Sequence, residues 1–216
     1  MDSFHANQCG LLQEEIKRTA SVLAVPVFAF KKESPMPVTI GSRLPANFGD
    51  PIAWMMDCHR RVENFLSILV KAGALHGRQL TGEERHPLGA ALRYFREGAP
   101  KHTEDEEQSL FPRLRSLRSP DIKPLLVYPD GLERDHCVAD RWHRELNQPG
   151  VQWLTVQTLP AAEAGRFRAL TRDLAHLYQH HIAVEEQRVF PAVAAKLSAD
   201  ELRLMGEEME ARRGLR

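Results

Sequence analysis

Two stretches of the chain repeat one pattern of groups able to hold a metal. Residues 102–112 read HTEDEEQSLFP and residues 181–191 read HIAVEEQRVFP, so both fit H-x-x-x-E-E-Q-x-[LV]-F-P. Residues four apart on an α-helix lie one turn on and on nearly the same face. His102 with Glu106, and His181 with Glu185, can therefore each present an imidazole and a carboxylate to one point. A single such pair on a helix surface is ordinarily solvated or weakly paired. The duplication, inside a shared Glu-Glu-Gln and Phe-Pro frame, sets these two apart. A second spacing repeats as well: His59 precedes His102 by 43 residues and His136 precedes His181 by 45. The chain thus reads as two copies of one unit, a helix with a histidine followed by a helix with H-x-x-x-E. Four imidazoles and two carboxylates would meet if all four helices faced one core. Burying these groups unpaired costs several kcal/mol each. A pair of metal ions removes that cost, because carboxylates neutralise its charge and neutral imidazoles donate to it. Imidazole with carboxylate suits iron, manganese or zinc better than magnesium or calcium.

The elements that must carry these residues are helices. Asp50 is a good N-cap and Pro51 suits the first helical position. Ile52, Met55, His59, Val62, Leu66 and Leu69 follow at three- and four-residue steps, and Gly73 is a plausible terminator. Pro87 is expected to open the second helix, after a capping-box-like Thr81 to Glu84. Its stripe runs Leu88, Leu92, Phe95, Ala99, His102, Glu106, Leu110, and Pro100 within it predicts a kink or local break. Residues 119–129 contain three prolines and read as a connection. A third helix is expected from near Asp130, carrying Leu132, His136, Ala139, His143 and Leu146, with Pro149-Gly150 ending it. The fourth starts near Pro160 and carries Leu170, Leu174, Leu177, His181, Glu185 and Val189. Ser198 with Glu201 looks like the capping box of a short fifth helix. No strand-like alternation of useful length appears. The expected fold is all-α: an antiparallel four-helix bundle over residues 50–197, an N-terminal extension over 1–49 and a short C-terminal helix within 198–216.

The rest of the composition bounds the function. Lys plus Arg equals Asp plus Glu, so the formal charge is zero and gives no general argument for nucleic acid or an anionic membrane. No apolar run approaches the roughly 20 residues of a spanning helix. Three cysteines far apart argue against a disulfide scaffold and make a reducing cytoplasm the simplest home. Residues 1–49 are punctuated by Pro26, Pro35, Pro37 and Pro45. Val22 to Phe30 imitates a signal peptide, but Lys31, Lys32 and Glu33 stand where small residues should form a cleavage site. A loosely packed extension is the plainer reading, and Met36 is an alternative start.

The histidines and H-x-x-x-E motifs resemble those of the hemerythrin-like (HHE) cation-binding family. Its hallmark is a histidine on the first helix, H-x-x-x-E ahead of Phe-Pro on the second, a histidine on the third and another H-x-x-x-E on the fourth. The resemblance spans roughly residues 50–196. It implies that His59, His102, Glu106, His136, His181 and Glu185 are ligands of two iron ions, with Glu106 and Glu185 bridging. Zinc or manganese is the alternative occupant, and a small diatomic molecule or peroxide the implied partner. One departure matters. Oxygen-carrying hemerythrins place a further histidine four residues after the third-helix ligand, where this chain has Asp140. That argues against reversible oxygen carriage and leaves sensing, storage or redox chemistry. It also makes Asp140, and Glu63 four residues after His59, candidate extra ligands, against a hydrogen bond to a ligand histidine or a plain surface charge.

Other groups have plainer readings. His180 is rotated about 100° from His181 and is the weaker candidate. His176 and His180 form either a surface metal pair or, more simply, a solvated flank. His143 reads as a core or cavity-lining histidine. Glu107 and Glu186 lie one step off the ligand face, facing solvent or supporting the site from outside. Cys58 and Cys137 read as small buried residues, and Phe111 and Phe190 as core. Pro112 and Pro191 bend or end their helices. Three functions compete: a non-haem diiron binding or sensing protein, a diiron enzyme of peroxidase, oxidase or iron-repair type, and an interaction bundle with incidental histidines.

Overall fold

A computed structural model describes residues 47–215, and the expectations for the proline-punctuated N-terminal stretch fall mostly outside them. Helix α1, Pro51–Gly73, starts as its sequence dictates: the Asp50 carboxylate accepts from the Ala53 amide at 3.0 Å, and Pro51 takes the first turn, where no amide donor is needed. Helix α2 is Gly82–Glu97, so it begins five residues before Pro87. The capping box is the real start signal. The Thr81 hydroxyl accepts from the Glu84 amide at 3.3 Å, and the Glu84 carboxylate accepts from the Thr81 amide at 2.9 Å. Pro87 is tolerated inside the helix near that start. The break foreseen at Pro100 falls at Gly98, after which α3 runs Ala99–Asp105.

Two departures from α-geometry sit at the heart of the repeat. Glu106–Leu110 and Glu185–Val189 are π-turns, with the Phe111 and Phe190 amides donating five residues back to the Glu106 and Glu185 carbonyls. The helices then resume as α4, Phe111–Ser116, and after the fourth long helix as α7, Phe190–Lys196. A proline ring in a helix crowds the carbonyl four residues back. The widened turn just upstream relieves that crowding at Pro112 and Pro191, so both helices continue. π-Bulges of this kind are frequent at functional sites.

A short 3₁₀ segment, Lys123–Val127, leads into α5, Tyr128–Val156. Pro149-Gly150 does not end α5; the helix runs six residues further, to a left-handed Gln157 at φ 69°. Packing overrides the proline, whose interior cost is about 3 kcal/mol. Gly150 is buried against Leu92, where a Cβ would come within 2.7 Å of a methyl. Trp153, one turn on, is fully buried, donates its indole N–H to the Arg78 carbonyl at 2.9 Å and meets Phe167 edge-on. Helix α6 is Ala161–Val184.

The long helices pack in a ring, α1 on α2, α2 on α5, α5 on α6 and α6 on α1, the closed four-helix bundle expected of short antiparallel connections. The core divides into two apolar clusters. One gathers Val62, Leu66, Leu69, Leu92, Phe95 and Trp153. The other gathers Met55, Leu110, Phe111, Leu132, Val189 and Phe190. The four histidines and two glutamates of the repeat form a buried polar layer between them.

Helix α8, Ala199–Ala211, closes the second cluster with Met205 and Met209. It opens on the Ser198/Glu201 capping box and lies against α1. Gly206 permits that approach, because a Cβ there would run into the Phe48 carbonyl oxygen. Gly206→Ala is therefore expected to destabilise the fold by about 1–3 kcal/mol through overpacking, read as a lowered urea midpoint with an unchanged slope.

Candidate metal centre

The six predicted residues converge. His102 Nε2 is 3.0 Å from Glu106 Oε1, and His136 Nε2 is 3.0 Å from Glu106 Oε2. His59 Nε2 is 3.1 Å from Glu185 Oε2 and 3.8 Å from Glu106 Oε1. His181 Nε2 is 3.3 Å from Glu185 Oε2 and 3.2 Å from His136 Nε2. Glu106 and Glu185 are completely buried, and all four histidines are nearly so. The donors form two overlapping groups, Glu106, His136, His181 and Glu185 in one and His59, His102 and Glu106 in the other.

The layer is unsatisfied as hydrogen bonding. Neither carboxylate oxygen of Glu106 or Glu185, nor His59 Nε2, makes a properly aligned hydrogen bond, although all are buried. Native proteins leave few such atoms without a reason. Here the ligand atoms gather in two overlapping groups, within 4.8 Å of one another in each, an arrangement that fits cations. The enclosed cavity between them is only about 10 Å³, room for ions or one small molecule and not for an organic substrate.

The repeat's shared frame holds this geometry, and each half holds the other. His59 Nδ1 donates to Glu186 at 2.9 Å, and His136 Nδ1 donates to Glu107 at 2.8 Å. The second glutamate of each Glu-Glu pair thus braces the lone histidine of the opposite half. The phenylalanine of each frame does likewise: Phe190 stacks on His59 with centroids 5.2 Å apart, and Phe111 lies parallel to His136 at 6.2 Å. The π-turn explains the register, since a turn widened to i, i+5 brings Glu106 and Phe111, or Glu185 and Phe190, onto one face. Both glutamates and the phenylalanine of each E-E-Q-x-[LV]-F-P frame thus stand in or beside the site.

The profile of the hemerythrin HHE cation-binding domain matches residues 50–193. The chain belongs to that family. A relative described as an uncharacterized protein of Haemophilus influenzae is 32% identical over 171 residues, which cover 78% of this chain and 92% of the relative. In this hemerythrin-like chain no described helix is long and apolar enough to cross a membrane.

The charges of the layer follow from its burial and its partners. Burial opposes protonation of the histidines, but the facing carboxylates outweigh it. Glu106 and Glu185 raise His59 to about 9. Glu185, with Asp135 and Glu106, raises His181 to about 10. His102 stands well above its ordinary value through Glu106, and His136 is raised by Glu106 and Glu107. Burial likewise pushes Glu106 and Glu185 up, and the surrounding imidazoles more than reverse it, Glu106 ending far below the usual carboxylate range. In the metal-free protein the cluster is held together by imidazolium–carboxylate pairs.

The optional ligands separate clearly. Glu63 is exposed and pairs with Arg60 at 3.0 Å; Asp140 is exposed and pairs with Arg144 at 2.6 Å. Both are surface charges. His180 and His176 are exposed and outside the cluster. His143 lies on Phe95, ring centroids 4.1 Å apart; burial lowers it to about 3, and its Nε2 shares a hydrogen bond with the Tyr178 hydroxyl at 3.0 Å. Cys58 is buried and Cys137 half-buried.

Sequence reasoning missed several residues at the site. Asp135 Oδ2 is 3.4 Å from His181 Nδ1. Tyr178, one turn before Ile182, lines the cavity. Asp105, adjacent to Glu106, is fully buried and held by Arg212 at 2.8 Å and Arg213 at 2.7 Å from the end of α8. Asp135 was findable, because it immediately precedes His136 as Cys58 precedes His59. The Arg212 and Arg213 contacts carry no local sequence signal.

Because Glu186 fixes the ring and tautomer of His59, Glu186→Ala is expected to weaken metal binding about 10–100-fold without unfolding the bundle. Competition against a coloured chelator, beside a circular dichroism spectrum, reads both halves of that expectation.

Proposed function

We propose that this protein is a non-haem diiron protein that binds or senses a small molecule such as oxygen, nitric oxide or peroxide. His136 and His181 would hold one ion, His59 and His102 the other, and Glu106 and Glu185 would be shared. The observation that carries the reading is the set of buried carboxylate oxygens and imidazole nitrogens that face one another without aligned hydrogen bonds. Four imidazoles with two carboxylates suit iron, with zinc or manganese as the competing occupants. When bound, such a metal pair supplies a redox couple and an open position for a small ligand. The chain's own residues do the rest. Glu107, Glu186 and Asp135 orient the imidazoles. The two apolar clusters exclude bulk water. The small cavity favours diatomic-sized ligands over organic substrates. With Asp140 turned to the surface, no further imidazole occupies the place that oxygen-carrying hemerythrins use, so sensing or redox chemistry is favoured over carriage.

A second reading, turnover of peroxide, is favoured by one observation: the Tyr178 side chain lines the cavity, with its hydroxyl held at 3.0 Å by His143 Nε2. Iron-loaded protein mixed with azide, nitric oxide or peroxide under argon separates the two. Saturable spectral changes without consumption support binding. Multiple turnovers of peroxide that Tyr178→Phe slows support the enzyme.

A further inference from the structure

We infer that the two metal positions are inequivalent, and that the His59/His102 position exchanges its ion faster because His102 has Cys58 beside it where His181 has Asp135. The inference rests on the dimetal reading above. It starts from the repeat, in which Cys58 precedes His59 as Asp135 precedes His136.

Three of the four histidines are backed by a carboxylate. His59 Nδ1 has Glu186, His136 Nδ1 has Glu107 and His181 Nδ1 has Asp135. The fourth, His102, is buried, and its Nδ1 makes no hydrogen bond. The group that neighbours it is the Cys58 thiol. A carboxylate behind an imidazole fixes the tautomer that aims Nε2 at the metal and raises its basicity. A thiol is a weaker hydrogen-bonding group than a carboxylate and holds the ring less firmly. The thiol is also shared: Cys58 draws in a cation, since the Arg61 guanidinium donates to its sulfur at 2.8 Å. Cys58 is thus a positioning residue, acting through His102.

Release kinetics test it. Full-length protein loaded with two iron(II) ions under argon is mixed with excess coloured iron(II) chelator. Two phases of one iron each are expected, with rates at least about tenfold apart, the size that outer partners of metal ligands command. Cys58→Asp should slow the fast phase about tenfold and leave the slow one within about twofold. Asp135→Asn should speed the slow phase by a similar factor and leave the fast one alone. Mössbauer spectra of ⁵⁷Fe-loaded protein should show two quadrupole doublets of equal area, with each variant moving one of them. Loss of both irons in a single phase overturns the inference, as do variants that shift both phases alike. Should Cys58→Asp fail to fold, Asp135→Asn decides, because Asp135 is part-exposed and its replacement buries no new charge. A wild-type protein that takes up no iron overturns the dimetal reading itself, a result distinct from uptake of two equivalent ions.

Discussion

Glu106→Ala should cost the protein both metal ions, with a loss of affinity on the order of 100-fold or more at each position, above the 10–100-fold typical of groups that only brace a ligand. Glu106 is the one residue common to the two donor groups. Its Oε1 faces His102 at 3.0 Å and its Oε2 faces His136 at 3.0 Å, so one carboxylate reaches across both halves of the bundle. Truncating it removes a ligand from each ion and a negative charge from a layer that must hold several positive ones. It also takes the carboxylate partner from His102 and His136, whose protonated forms Glu106 favours. The metal-free variant should therefore be less stable than the metal-free wild type near neutral pH, beyond its failure to load. Chelator competition gives the affinity, and thermal unfolding of both metal-free proteins gives the stability. Retention of two tightly held ions by Glu106→Ala would show that the carboxylate is not shared between them.

Metal binding near pH 7 should release several protons per chain, and metal-free stability should fall as pH rises from about 6.5 towards 10. The sign follows from which state holds the protons. His59 and His181 have an ordinary value of 6.5 and are raised to about 9 and about 10 in the fold. Between those limits the folded chain holds protons that the unfolded chain has released. Their contribution is complete below 6.5 and is lost as pH climbs through 9 and 10. Glu106 and Glu185 carry the opposite sign. Held below their ordinary 4.5, they stabilise the fold above that value and lose their contribution as pH falls through their lowered ones. The metal-free bundle is thus best supported by this cluster between 4.5 and 6.5. A metal ion needs the unprotonated Nε2 of each histidine, so loading displaces those protons and affinity climbs about tenfold per pH unit for each proton released. The gap in melting temperature between loaded and metal-free protein should widen from pH 6 to pH 9. Calorimetric titration in two buffers of different ionisation enthalpy counts the protons; heats that do not depend on the buffer would refute the imidazolium–carboxylate picture.

The site was more legible in the sequence than the path of the backbone through it. The duplicated motif brought the six converging residues to notice because helical periodicity places them by simple geometry. Asp50, Thr81–Glu84 and Ser198–Glu201 marked helix starts because a cap is a local event, settled within four residues. Proline misled where packing outweighed it. Pro149 reads as a terminator, yet burial of Trp153 and the close approach of Gly150 to Leu92 carry α5 past it. Pro87 reads as an opener, yet the capping box six residues earlier decides. The π-turns were written in the Phe-Pro of both repeats, but only as a conflict between a proline and a continuing helix, and the widened turn that resolves it emerges from three-dimensional packing. Glu107 and Glu186, one step off the ligand face, find their histidines only across the bundle, on helices of the opposite half. Asp105 finds Arg212 and Arg213 more than a hundred residues away. Contacts of that range leave no periodicity to read.

A pair of iron ions in the buried layer would show as metals counted per chain. Protein produced with iron available and without a histidine tag is analysed by mass spectrometry, with an optical spectrum taken before and after dithionite. About two irons per chain are expected, with a visible absorption that dithionite bleaches. Two zinc or manganese ions would keep the site and contradict the iron chemistry, and no metal after careful reconstitution would contradict the claim outright.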